Sequence, residues 1–175
     1  MIEARSALDK ERLTKASRGL AKHGGRKISV FPGPTGNPAQ INAQGQEVLE
    51  RILNHPNKKI TLESSARFGD IIDIEVAEMG GVRYDTAGTF IGFFQPNECI
   101  SKYRITVISL PDREYLVSEI FYGGFQWVEI HHEGEEMKIQ FYPHPNKPCW
   151  EFNLDKALEV LAKAKKRMVS LGPKN

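Results

Sequence analysis

Cysteine is nearly absent. Cys99 and Cys149 are the two in 175 residues, too few and too far apart for a disulfide framework. They are expected to be reduced thiols of a cytosolic protein, and with the scattered histidines they make no zinc site. No apolar run approaches the roughly 18 residues of a membrane-spanning helix. The opening MIEARSALDKERLTK is charged throughout and lacks the apolar centre of a secretory signal. Internal repeats and low-complexity tracts are missing too. What remains is ordinary for a globular chain, 40% apolar and 26% charged, long enough for one medium domain or two small ones.

The net charge of +2 hides a gradient. Residues 1–30 carry eight Lys/Arg against three Asp/Glu, a balance of +5. Residues 112–159 carry ten Asp/Glu against four Lys/Arg, a balance of −6. A basic front attracts phosphate, and an acidic later segment can compete for the same surface. The alternative is two solvated faces.

Periodicity predicts a helix over 4–22, stopped by Gly24-Gly25, and a second over about 39–54. Between them FPGPTGNP denies both helix and ladder. Strands are expected at 59–63, 70–77, 82–85 and 89–95, with Ile72, Ile74 and Val76 alternating against Asp73 and Glu75. Pro96-Asn97-Glu98 breaks the pattern. Further strands are expected at 103–110, 115–122, 125–131 and 137–142, the middle pair hinged on Gly123-Gly124. Asn153 caps a last helix over 154–169. The expected fold class is α+β, with two helices plus a four-stranded antiparallel sheet at 1–97. A C-terminal antiparallel β-meander followed by one helix is expected at 103–175.

Cleaving RNA without a metal needs a base for the 2′-hydroxyl, an acid for the leaving oxygen and cations for the phosphate. The first half offers His23 beside Lys22, two glycines and Arg26. It also offers Ser64, Ser65 and Arg67 between strands, and Arg83, Tyr84 and Asp85 on a strand whose alternation sets Arg83 and Asp85 opposite Tyr84. Each has a structural alternative. His23 can cap a helix, Arg67 can pair with Asp70, Tyr84 can sit in the core, and Asn37, Asn42 and Gln46 can serve loop and helix-start hydrogen bonds. Asp70, Asp73 and Asp85 could instead serve a divalent metal. The adjacent pair His131-His132 faces opposite ways on a strand and is a poor joint ligand.

The ordered string KHGGR, FPGPTGNPAQINAQGQ, RFGDIID, GVRYD and GTFIGFFQP resembles the C-terminal toxin modules of bacterial contact-dependent inhibition and other polymorphic toxins. These modules are grouped with barnase, EndoU, colicin ribonucleases and RelE. The resemblance covers about Ser17 to Pro96. It implies a metal-independent ribonuclease acting on tRNA or rRNA in a target-cell cytoplasm, with no cofactor. Carried across by motif, it implies catalytic roles for His23, Arg26, Arg67 and Tyr84, and substrate contacts from Lys22, Lys27, Ser65 and Arg83. ISVFP and AEMGGVRYD depart from the family's usual loops, which leaves open an inactive binding module; a metal-dependent DNase is the other alternative. The run from EIFYGGFQWVEIHH to LEVLAKAKKR resembles small immunity proteins encoded beside such toxins. That likeness implies a non-enzymatic segment at 103–175 that binds and inhibits the toxin segment at 1–97, with Glu119, Glu129, Glu133, Glu135 and Glu136 as its acidic face. Tyr122, Phe125 and Trp127 are then anchors or sheet core.

Overall fold

A computed structural model describes residues 12–172. Helix α1 (Lys15–His23) starts where the Thr14 hydroxyl accepts from the Ser17 amide. Helix α2 (Pro38–Leu53) starts in a capping box, with Asn37 and Gln40 bonding each other's backbone and Pro38 in the first turn. Of the helix expected over 4–22, residues 4–11 lie outside the described residues. Helix α3 (Leu154–Leu171) is capped by Asn153.

The strands are β1 (Lys59–Ser65), β2 (Gly69–Val76), β3 (Gly80–Asp85), β4 (Phe90–Phe94), β5 (Glu98–Ile100), β6 (Tyr103–Ile108), β7 (Val117–Tyr122), β8 (Phe125–Glu133) and β9 (Glu136–Phe141). Their spans lie close to those expected from periodicity, apart from β5, which occupies the supposed break. Their assembly does not follow the expected layout. A four-stranded sheet beside a separate meander would leave β1 and β4 as edges. Instead β4 pairs with β6, through Gln95 N to Val107 O at 2.8 Å and Ser109 N to Phe93 O at 2.9 Å. At the other side β1 meets β8 in parallel, with Ser64 N donating to Gly124 O at 2.8 Å. The expected fold class is thereby corrected to a seven-stranded barrel, β1-β2-β3-β4-β6-β7-β8 and back to β1. Strand β9 extends from β8, and β5 lies on β6. The physical reason is edge closure, because an open edge strands a row of N–H and C=O groups that ring formation pairs.

The strands are two-faced. Outward, Ile74, Val76, Val82, Tyr84, Phe90 and Phe93 pack on α1 and α2, while Tyr103, Ile105, Ile120 and Val128 pack on α3. Inward, an apolar layer of Ile71, Ile91, Phe94, Ile108, Val117 and Phe121 fills part of the barrel. The remaining interior is charged, and it leads to the site.

Candidate active site at the barrel mouth

Alternation on β8 puts Glu129 and His131 on one face, turned into the barrel. The β1–β2 turn carries Arg67 to them, and the segment between β6 and β7 carries Asp112 and Arg113. The Glu129 side chain is wholly buried. It accepts from Tyr142 Oη at 3.1 Å and from Arg67 Nη1 at 3.2 Å, and forms an ion pair with Arg113 Nη2 at 2.7 Å. His131 Nδ1 lies 3.3 Å from Glu129 Oε1 but makes no aligned hydrogen bond, and buried Arg113 Nε also has no hydrogen-bond partner among the described residues. Arg67 pairs with Asp112 as well. The arginine side chains keep 19% and 29% exposure, so this end of the barrel reaches solvent.

Deeper in, Gln126 links the mouth to a second cluster. Its Oε1 accepts from Ser65 Oγ at 3.0 Å and Ala66 N at 2.8 Å, and its Nε2 donates to Glu119 Oε1 at 3.3 Å. Arg83 pairs with Glu119 and forks onto Asp73 at 2.7 and 2.9 Å. Arg104 reaches Asp73 at 2.8 Å and also pairs with Glu63. Both guanidinium groups lie over the Phe121 ring, at 5.4 and 4.9 Å. Burial pushes the Glu119 and Glu63 carboxyls up. Burial opposes ionisation of Asp73 too, but Arg83 and Arg104 hold it below the usual carboxylate range. At the mouth, burial and the Arg113 charge lower His131, so its imidazole is neutral near pH 7. Burial and Glu129 raise the Tyr142 hydroxyl, which stays protonated. A neutral imidazole, a carboxylate beside it, a protonated phenol and two partly exposed arginines are the parts that phosphodiester transfer requires.

Of the residues given a catalytic or substrate role in sequence, Ser65, Arg67 and Arg83 belong to this connected network. The others lie elsewhere. His23 is fully buried, with Nε2 2.7 Å from Phe93 O and Nδ1 2.9 Å from Gln95 Nε2. The carbonyl can only accept and the amide nitrogen only donate, so the ring is held as the neutral Nε2–H tautomer. Burial lowers its pKa to about 3. In this conformation it offers a phosphate nothing. Tyr84 is core, 2% exposed, as its alternative reading had it, and burial raises its hydroxyl to about 12. Arg26 bonds backbone carbonyls of Lys22 and Gly172 and shares no partner with Arg67 among the described residues. Lys27 is exposed. Lys22 Nζ holds the Leu110 carbonyl at 2.6 Å and the Arg113 carbonyl, so it steadies the segment that carries Arg113. Arg67 pairs with Asp112 and Glu129 rather than Asp70. Asp70, Asp73 and Asp85 do not gather, and no group of three or more His, Cys, Asp or Glu among the described residues is placed to hold a metal ion.

Glu119, Gln126, Glu129, His131, Arg113 and Tyr142 escaped the sequence reading as site residues. Part of their signal was charge in mid-strand with period two: Asp73, Arg83, Arg104 and Glu129 each stand between apolar neighbours, and Glu119 between Ser118 and Ile120. Charges of both signs on one face of successive strands mark a polar barrel interior.

A family model of the CdiA C-terminal tRNase toxin domain matches residues 2–95. The chain belongs to this family. Curated proteins and solved structures return no match. The CdiA tRNase match ends just after β4, so it contains Ser65, Arg67, Asp73 and Arg83. It does not extend to residues 103–175, which bring Arg104, Arg113, Glu119, Glu129, His131 and Tyr142. Within this CdiA toxin chain, the two segments meet at the barrel mouth. No helix among the described residues is long and apolar enough to cross a membrane.

Proposed function

We propose that this chain is a tRNA-cleaving toxin module of interbacterial competition, acting in a target-cell cytoplasm, with the barrel mouth as its active centre. The family supplies the substrate class. The observation that carries the site is the convergence of Arg67, Arg113, Tyr142 and His131 on one buried carboxylate, Glu129, beside two polar atoms with no partner. Unpaired buried polar atoms cost stability and call for a reason; a bound phosphodiester provides one.

Arg67 and Arg113 clamp the phosphate once it displaces Asp112. Neutral His131 takes the ribose 2′-hydroxyl proton, the 2′-oxygen bonds to phosphorus, and the bond from phosphorus to the 5′-oxygen breaks. The 5′-oxygen takes the Tyr142 proton. Glu129, in contact with both rings, returns the proton from the imidazolium to the phenolate, which restores the site. The products are a 2′,3′-cyclic phosphate and a free 5′-hydroxyl. No step calls on a metal ion, so EDTA is expected to leave cleavage unchanged. His131→Ala is expected to lower tRNA cleavage about 100-fold, the scale of a lost general base. Full activity in His131→Ala, or loss of activity in EDTA, would overturn this assignment, the latter in favour of a metal-dependent nuclease.

A second reading rests on one feature. Asp112, Glu119 and Glu129, from outside the matched segment, sit on Arg67 and Arg83, from inside it. Residues 103–175 would then be an inhibitory, immunity-like segment that masks the toxin's cations, and removing those carboxylates would raise activity.

A further inference from the structure

Outside the barrel, the last turns of α3, the β8–β9 turn and the segment before β7 enclose a cavity of about 560 Å³. That is within the size range of small-molecule sites. Its floor is apolar: Leu116, Met168 and Leu171 belong to one buried cluster, with Met137 packed against them. Unbranched methionine side chains shape themselves to varied ligands. Tyr115 and Val169 stand at the rim and are exposed, and Tyr115 meets the His132 ring edge-on.

One wall is Arg26. Its Nε donates to Lys22 O at 2.8 Å and its Nη1 to Gly172 O, while no carboxylate among the described residues pairs with it. The second terminal nitrogen makes no hydrogen bond to the described residues. A half-buried cation facing an apolar chamber, with no counter-ion among the described residues, is poised for an anion. The lining is mainly apolar, and Glu135 at the turn disfavours a multiply charged phosphate more than a singly charged head. We propose that this cavity binds a monocarboxylate with an apolar tail, of the medium-chain fatty acid class, with its head on Arg26 and its tail among Leu116, Met137, Met168 and Leu171. The ligand site lies outside the barrel mouth.

Calorimetric titration of the full chain with decanoate, and with decanol as the uncharged control, tests this. Saturable one-site binding of decanoate is expected, with decanol at least about tenfold weaker. Arg26→Gln should bring decanoate down to the level of decanol. Val169→Trp, a rim substitution that fills the chamber without touching the barrel, should abolish binding of both. Equal affinities for decanoate and decanol in the unaltered chain, unchanged binding in Val169→Trp, or no binding at millimolar decanoate would each overturn the assignment. The decanol and Val169→Trp arms decide the matter even where Arg26→Gln fails to fold.

Discussion

His23 shows how far a residue's chemistry depends on its neighbours. A histidine beside Lys22 and Arg26 reads as an acid or base for phosphate chemistry, yet here both ring nitrogens are satisfied inside the core, against Phe93 and Gln95. Protonation would set a second N–H against the Gln95 amide, and burial and the nearby Arg26 and Lys22 charges oppose it as well. The consequence is a pH dependence with a definite sign. The folded-state pKa, about 3, lies below the ordinary 6.5. This contribution to stability is therefore complete above about pH 6.5, and is lost as pH falls from there toward 3. Between pH 6.5 and 5 the loss is about 2 kcal/mol. Urea melts should show that loss in the unaltered chain and its disappearance in His23→Gln, whose amide can donate to Phe93 and accept from Gln95. An equal loss in both proteins would show that His23 titrates freely. The residue-scale lesson runs the other way at Glu129 and His131, where a pair dismissed as a metal ligand set, because neighbouring histidines face opposite ways, turned out to place His131 alone in the barrel and His132 outside it.

Individual elements were legible because their signals are local. Asn37-Pro38 with Gln40 announces α2, the alternation of Ile72, Ile74 and Val76 announces β2, and Gly123-Gly124, both at positive φ, announces the β7–β8 hairpin. Pairing between distant strands has no such signal. Backbone pairing of β1 with β8 is limited to the register pair Ser64↔Phe125 and one hydrogen bond from Ser64 to Gly124, with the Gln126 side chain holding Ser65 and Ala66 beside it. Pro96-Asn97 looked like punctuation. In the fold Asn97 is bonded on three sides, by its N and Nδ2 to Glu75 at 2.7 and 2.9 Å and by its Oδ1 to Thr106 at 2.7 Å. The β4–β6 seam has its own requirement for a glycine. A Cβ on Gly92 would stand 1.9 Å from Ser109 O. Gly92→Ala is expected to cost at least about 2 kcal/mol through overpacking, read as a lowered urea midpoint; an unchanged midpoint would mean that β4 and β6 do not meet as described.

On the scale of the whole molecule, the barrel binds the family-matched segment to the rest of the chain. Arg167 of α3 donates to Pro96 O and Ile105 O, Arg104 completes the shell of Asp73, and Glu119 completes that of Arg83. Residues 1–97 alone would lose these partners, open β1 and β4 as edges, and leave Arg83 without one of its two carboxylates. That fragment is expected to lack a cooperative thermal transition, and to regain one when residues 98–175 are added; a cooperative transition in the fragment by itself would show that the matched segment is self-sufficient. The alternating mid-strand charges were visible in the sequence throughout, but their meaning depended on the ring that gathers them. The measurement that reaches the centre of this account is tRNA cleavage by Glu129→Gln beside the unaltered chain at neutral pH in EDTA. A carboxylate that relays the proton between His131 and Tyr142 predicts a fall of about 100-fold. A rise in cleavage, as Arg67 and Arg113 are released from a masking carboxylate, would contradict it.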